Sequence, residues 1–147
     1  MLIISRSLLG KRAGRLIIWL ILSLAATNAC TSSAQSQQLR IMNRGSEDIK
    51  GLSVLFPGAT SDSEAIRIPF GDLPAGTTSA YQTVPSGVYR YAAYEYMLDG
   101  RPISQAVVDW MGEGPMKGQA FTYEIELDLQ QPPGGQIQLV EVSVDKP

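Results

Sequence analysis

At 147 residues the chain has room for one ordinary domain, and its single cysteine and lack of histidine exclude an internal disulfide scaffold and the commonest zinc ligands. Four of the twelve basic side chains (Arg6, Lys11, Arg12, Arg15) fall in the first fifteen positions, leaving eight basic against fourteen acidic side chains, a formal charge of −6, in the remainder. That acidic balance excludes the basic stripe with which a nucleic-acid binder neutralises phosphates.

Residues 1–15 hold positive charge and no acid, and residues 16–26 (LIIWLILSLAA) form an uncharged apolar run. This is the n-region and h-region of a targeting segment, here spanning 1–29. Arg15 on one side and the polar stretch from Asn28 on the other keep the run short of the ~20 apolar residues that a membrane-spanning helix needs. The run ends in Ala25-Ala26-Thr27-Asn28-Ala29-Cys30, which resembles the cleavage box of bacterial lipoproteins, although Thr27 stands where that family usually has leucine. The resemblance implies lipid attachment at Cys30 and a protein held on a membrane of the bacterial envelope by its N-terminal lipid. Thr31, which is not aspartate, implies the outer membrane in a Gram-negative cell, with the periplasmic face as the other placement. Ordinary signal peptidase cleavage, after Ala29 or after Ala34, is the alternative and gives a soluble periplasmic or secreted protein. Residues 30–38 are rich in Ser and Gln and read as a polar tether.

From 39 to 147 short alternating segments are separated by Gly, Pro, Asp and Ser clusters, with no sustained helical period. The pattern predicts an all-β body, a seven- to eight-stranded antiparallel β-sandwich of the immunoglobulin-like kind. The expected strands are 39–43, 52–56, 65–70, 77–84, 88–98, 101–108, 120–129 and 137–144. Asp99-Gly100 signals a tight hairpin. Residues 121–129 alternate strictly, which places Phe121, Tyr123, Ile125, Leu127 and Leu129 on the core face. Apolar parity slips in 137–144, and a bulge at Leu139 and Val140 would restore one apolar face. The segments 70–81 and 84–89 resemble stretches of uncharacterised bacterial envelope proteins and of fibronectin-like and transthyretin-like sandwich domains, which implies fold and not function.

Catalytic chemistry finds little to work with. Without histidine a nucleophilic serine could use only a lysine, and Lys50 and Lys117 sit beside glycines in loop-like sequence. Glu124 and Glu126 share a strand face, but it is the polar one. Residues 112–118 lack the Gly-Lys-Ser/Thr ending of a phosphate loop, and Asp62, Glu64 and Asp72 do not match a calcium loop. The sequence therefore predicts a non-catalytic binding or accessory protein with no cofactor, no metal and no nucleic acid. The alternatives are a small hydrolase built on Glu95, Asp109, Glu113 or Glu124, and a purely structural surface protein. Partner-binding candidates are Tyr89, Tyr91, Tyr94 and Tyr96, which a bulge at Ala92-Ala93 would bring to one face, with Trp110 as a fifth ring. An envelope protein or a glycan is the expected partner, and packing into the sandwich is the competing role for these rings.

Overall fold

A computed structural model of the chain describes residues 36–58, 63–107, 110 and 112–146. The targeting segment, Cys30 and most of the expected tether lie outside the described residues, as do Asp62 and Asp109. The described residues form eight strands: β1 (Gln37–Asn43), β2 (Ile49–Phe56), β3 (Ile66–Leu73), β4 (Gln82–Val84), β5 (Ala93–Leu98), β6 (Arg101–Gln105), β7 (Ala120–Leu127) and β8 (Ile137–Val144). Two four-stranded sheets result, one in the order β4-β1-β7-β8 and the other in the order β3-β2-β5-β6.

The longer strands bury residues mainly from one face, β1 and β7 most regularly, and the inward faces of both sheets make one core. Leu39, Ile41, Phe121, Tyr123 and Ile125 come from the first sheet, and Leu52, Val54, Phe56, Tyr94 and Tyr96 from the second; all are buried. Parity is corrected where it has to be. In β2 the buried set passes from Ile49 to Leu52, Val54 and Phe56 across Gly51, which adopts φ +59°, and in the facing β3 it passes from Ile68 to Leu73 across Gly71 at φ +74°. Positive φ is open to glycine at little steric cost, so one extra residue is absorbed in each strand. The β5–β6 hairpin turns at Asp99 (φ 50°) and Gly100 (φ 74°), with Leu98 paired to Arg101. This is the two-residue turn that the sequence predicts.

The antiparallel expectation needs one correction, because β1 pairs parallel with β7, Leu39 opposite Phe121, while pairing antiparallel with β4 on its other side. Alternation specifies which face of a strand is buried and says nothing of its neighbours. A parallel pair needs a long crossover, here supplied by all the chain between the two strands. Several boundaries also move: β2 begins at Ile49, β3 runs on to Leu73, the strand expected over 88–98 starts only at Ala93, and the one expected over 101–108 ends at Gln105. Gln37 and Gln38 belong to β1 and not to the tether. The expected strand over 77–84 shrinks to Gln82–Val84, although Ser79 donates its N–H to Ile41 O at 2.8 Å. Leu129 lies beyond the end of β7 and is 50% exposed, because the chain turns away at Asp128, whose carboxylate accepts the Gln130 N–H at 2.9 Å.

The C-terminal hairpin β7–β8 carries the bulge. Glu124 pairs with Glu141 and Ile125 with Leu139, so Val140 is the extra residue and is pushed outward to 49% exposure. Beyond β8 the chain is latched to the outer face of its sheet. Thr122 donates its hydroxyl to the Asp145 carboxylate at 2.8–2.9 Å, Tyr81 donates to it at 2.7 Å, and Arg40 reaches it at 3.4 Å while lying over the Tyr81 ring. Burial alone would raise the Asp145 carboxyl; the hydrogen bonds from Tyr81 and Thr122 and the Arg40 charge outweigh it and hold the pKa below the ordinary value.

Candidate functional site

Residues 88–92 lead into β5 through a bend at Arg90 and Tyr91, and one amide pins the segment at Val88. Gln37 accepts the Val88 N–H at 2.5 Å and donates to the carbonyls of Met116 and Gly118 at 2.7 and 2.8 Å, while the Met116 N–H is donated to Val88 O at 2.7 Å. The fit is close: a Cβ on Gly87 would stand 2.6 Å from Pro115. This anchoring sets the facing of the tyrosines, and it differs from the four-ring face expected above. Ala92 takes the buried place before β5 and turns Tyr91 outward. Tyr89 packs inward on Phe56, ring centroids 6.2 Å apart, and Phe56 meets Tyr123 edge-on at 6.1 Å. Tyr94 and Tyr96 follow the alternation of β5 into the core. Three of the four candidate rings are thus packing residues without a surface to offer.

Tyr91 remains at the surface, 44% exposed, with the Arg90 guanidinium 5.7 Å from its ring centre and the Trp110 indole N–H donated to its carbonyl at 3.1 Å. Arg90, Tyr91 and Met116 form one wall of an open cleft of about 460 Å³, and residues 139–142 of β8 form the other. Opposite charges face across it, Arg90 on one wall and Glu141 on the other.

The β8 wall is a sheet edge. Asp128 donates its N–H to Gln136 O and Asp145 donates to Ala120 O, which brackets the β7–β8 ladder. By antiparallel alternation the backbone groups of Gln138, Glu141 and Ser143 face β7, and those of Ile137, Leu139, Val142 and Val144 point away from it. Ile137 is already served, because the Gln105 side chain at the end of β6 accepts its N–H at 2.8 Å and donates to its carbonyl at 2.7 Å. Among the described residues no partner strand covers Leu139, Val142 and Val144 on this side. The other three edges carry the usual protections: β4 has three residues, β3 contains Pro69 and the kink at Gly71, and β6 opens on Arg101-Pro102. In contrast β8 spans eight residues without proline and shows Val140 and Val144, the latter 58% exposed.

The acidic candidates do not converge. Glu124 pairs with Arg44 at 2.5 Å on the outer face of the first sheet, and Glu95 pairs with Arg67 on the outer face of the second. Glu113 and Glu126 are exposed in solvent. Lys50 is also exposed and lies 3.3 Å from Asp48 and 3.6 Å from Asp72; the Asp48 contact raises its pKa, the opposite of what a catalytic lysine needs. Asp72 is further engaged by the Gly51 N–H. Among the described residues no three carboxylate or thiol side chains are grouped to hold a metal.

Sequence reasoning missed the amides. Gln37 and Gln105 act as surrogate peptide groups at strand ends, and Gln136 accepts a hydrogen bond from the buried Tyr96 hydroxyl at 2.9 Å. Glutamine is common in polar loops, and its composition signal is the same whether it is solvated or buried. Compared with known proteins, the chain matches no protein-family model, no curated protein and no solved structure.

Proposed function

We propose that this is an exported protein of the bacterial envelope, held to a membrane by lipid on Cys30, that works by binding an extended polypeptide along the β8 edge and not by catalysis. The observation that carries the binding reading is the contrast among the sheet edges: three are blunted, while β8 presents backbone groups that no strand among the described residues covers, beside a cleft walled by Arg90, Tyr91 and Met116. Strand addition to such an edge supplies affinity through main-chain hydrogen bonds and specificity through the adjoining side-chain pocket. The lipid anchor rests on the sequence: a basic segment, a short apolar run and a lone cysteine after Ala29. Two or three acyl chains anchor a protein firmly where one is marginal.

We place the body among immunoglobulin-like sandwiches in the broad sense of two facing sheets in roughly 110 residues. Its order β3-β2-β5-β6 keeps the β2–β3 hairpin within one sheet, which sets it apart from the constant-type arrangement. Two measurements test the functional reading. The intact mass of the membrane-extracted protein is expected to equal the chain from Cys30 plus acyl groups, and a soluble species beginning at Gln35 overturns the anchor. A photo-crosslinking side chain at Val140, introduced in the envelope, is expected to capture polypeptide, whereas one at Asp99 in the tight hairpin is not. Equal yields from both positions overturn the binding reading.

A further inference from the structure

We infer that the polypeptide taken up by β8 is the β8 strand of a second copy of this chain, added antiparallel with its two-fold axis at Val144, so that two four-stranded sheets join into one. The inference rests on the reading of β8 as the binding edge and adds the identity and register of its occupant.

A row of outward N–H and C=O groups at strand spacing is matched by another extended backbone and by little else. Which register fits is decided by three features of this strand. The bulge at Val140 breaks the regular spacing upstream, so a straight ladder is available only from Glu141 onward. In that stretch Val142 and Val144 direct their backbone groups outward, and alternation extends the set to Lys146, since Asp145 is bonded inward to Ala120. An axis at Val144 uses all three, pairing Val144 with itself and Val142 with Lys146 of the second copy, for about six main-chain bonds.

Neighbouring registers fail on specific grounds. An axis at Ser143 would leave only Val142 and Val144 to pair, about four main-chain bonds in place of six, and would place Glu141 directly opposite Asp145, two carboxylates on one face of the sheet. An axis at Val142 would run the new ladder into the bulge at Val140. With the axis at Val144, Asp145 meets Ser143 of the second copy, a hydroxyl that can donate to it, and Val144 is covered by its own mate. An isologous contact must be self-complementary, and this register is so in hydrogen bonding and in apolar cover, with no carboxylates set directly opposite one another.

The register is tested by a single thiol on the axis. In the full chain carrying Cys30→Ser and Val144→Cys, mild oxidation is expected to give a disulfide-linked dimer on a non-reducing gel, because the Cα separation in a hydrogen-bonded antiparallel pair, about 5.5 Å, is within disulfide range. The same background with Val140→Cys, equally exposed but off the axis, is expected to cross-link at least about tenfold more slowly. Equal rates overturn the register. By sedimentation in detergent, the Cys30→Ser chain is expected to pass from one to two protein masses as concentration rises, and Val144→Lys to stay at one with an unchanged urea midpoint. A chain that stays monomeric at every concentration overturns the second-copy assignment. A photo-crosslinking side chain at Val144 that captures other polypeptides and never this chain does the same, while leaving the binding reading intact.

Discussion

Two tyrosines on β5 sit in the same core and differ in one atom's surroundings. The Tyr96 hydroxyl donates to the buried Gln136 amide, whereas the hydroxyls of Tyr94 and Tyr123 are buried and find no hydrogen-bond partner among the described residues. An unsatisfied buried hydroxyl forfeits its hydration for nothing, and a satisfied one recovers about 1 kcal/mol net. Tyr96→Phe should therefore cost roughly 1–2 kcal/mol, because it also strands the Gln136 oxygen, while Tyr94→Phe should be neutral or stabilising by up to about 1 kcal/mol. Urea midpoints of the two variants measure the difference, and equal losses would show that the Tyr94 hydroxyl is satisfied in solution. Gln37 follows the same logic in reverse: its one amide serves Val88, Met116 and Gly118. No spacing rule in the sequence separates this glutamine from Gln35 or Gln38, since what distinguishes it is an alliance with residues 51 to 81 positions away.

At the scale of strands, β8 differs from its partner β7 by one inserted residue. Remove Val140 and the segment reads Ile137, Gln138, Leu139, Glu141, Val142, Ser143, Val144, an unbroken alternation of inward and outward positions. Deletion of Val140 is accordingly expected to be tolerated within about 1 kcal/mol, whereas deletion of Ile125 from β7 reverses the facing of every later residue in that strand and should unfold the domain. Far-UV circular dichroism and thermal melts of both deletions decide it. This is also where the sequence was most legible. Parity slips in a run of apolar residues name a bulge, Asp-Gly between two strands names a turn, and both stand where expected. The Tyr91 rim was half legible: clustering of tyrosines drew the eye, but their facing depends on Ala92 taking the inward place, and alternation carried across the start of a strand has no means of foreseeing that. The edge status of β8 was illegible, because strand order is a property of pairs distant in sequence.

For the molecule as a whole, the buried phenols of Tyr94 and Tyr123 couple stability to alkaline pH. Burial raises both pKa values above the ordinary one near 10, with the proximity of Tyr94 and Glu113 adding to the shift at Tyr123. The stability tied to their neutral forms is fully present below about pH 10, where the unfolded phenols are also protonated. It is lost as pH rises beyond that, because the unfolded chain ionises there while the folded one resists. Stability should thus fall progressively above about pH 10, and tyrosinate absorbance from these two rings should appear together with unfolding. Replacing both by Phe should flatten the decline, and an unchanged slope would assign it to other groups.

The parallel pairing of β1 with β7 has a consequence for the order in which the protein comes into being. Arg40 of β1 and Thr122 of β7 are 82 positions apart and bonded at 2.8 Å, so the first strand to be synthesised waits for the next-to-last before its sheet has a centre. Neither β1 with β4, which shares three residue pairs with it, nor the second sheet by itself encloses the core. Non-local closure of this kind makes folding slow relative to locally connected domains. On the export reading proposed above, the delay is useful: nearly the whole polypeptide must emerge before β7 can meet β1, and until then no finished domain exists to jam the passage.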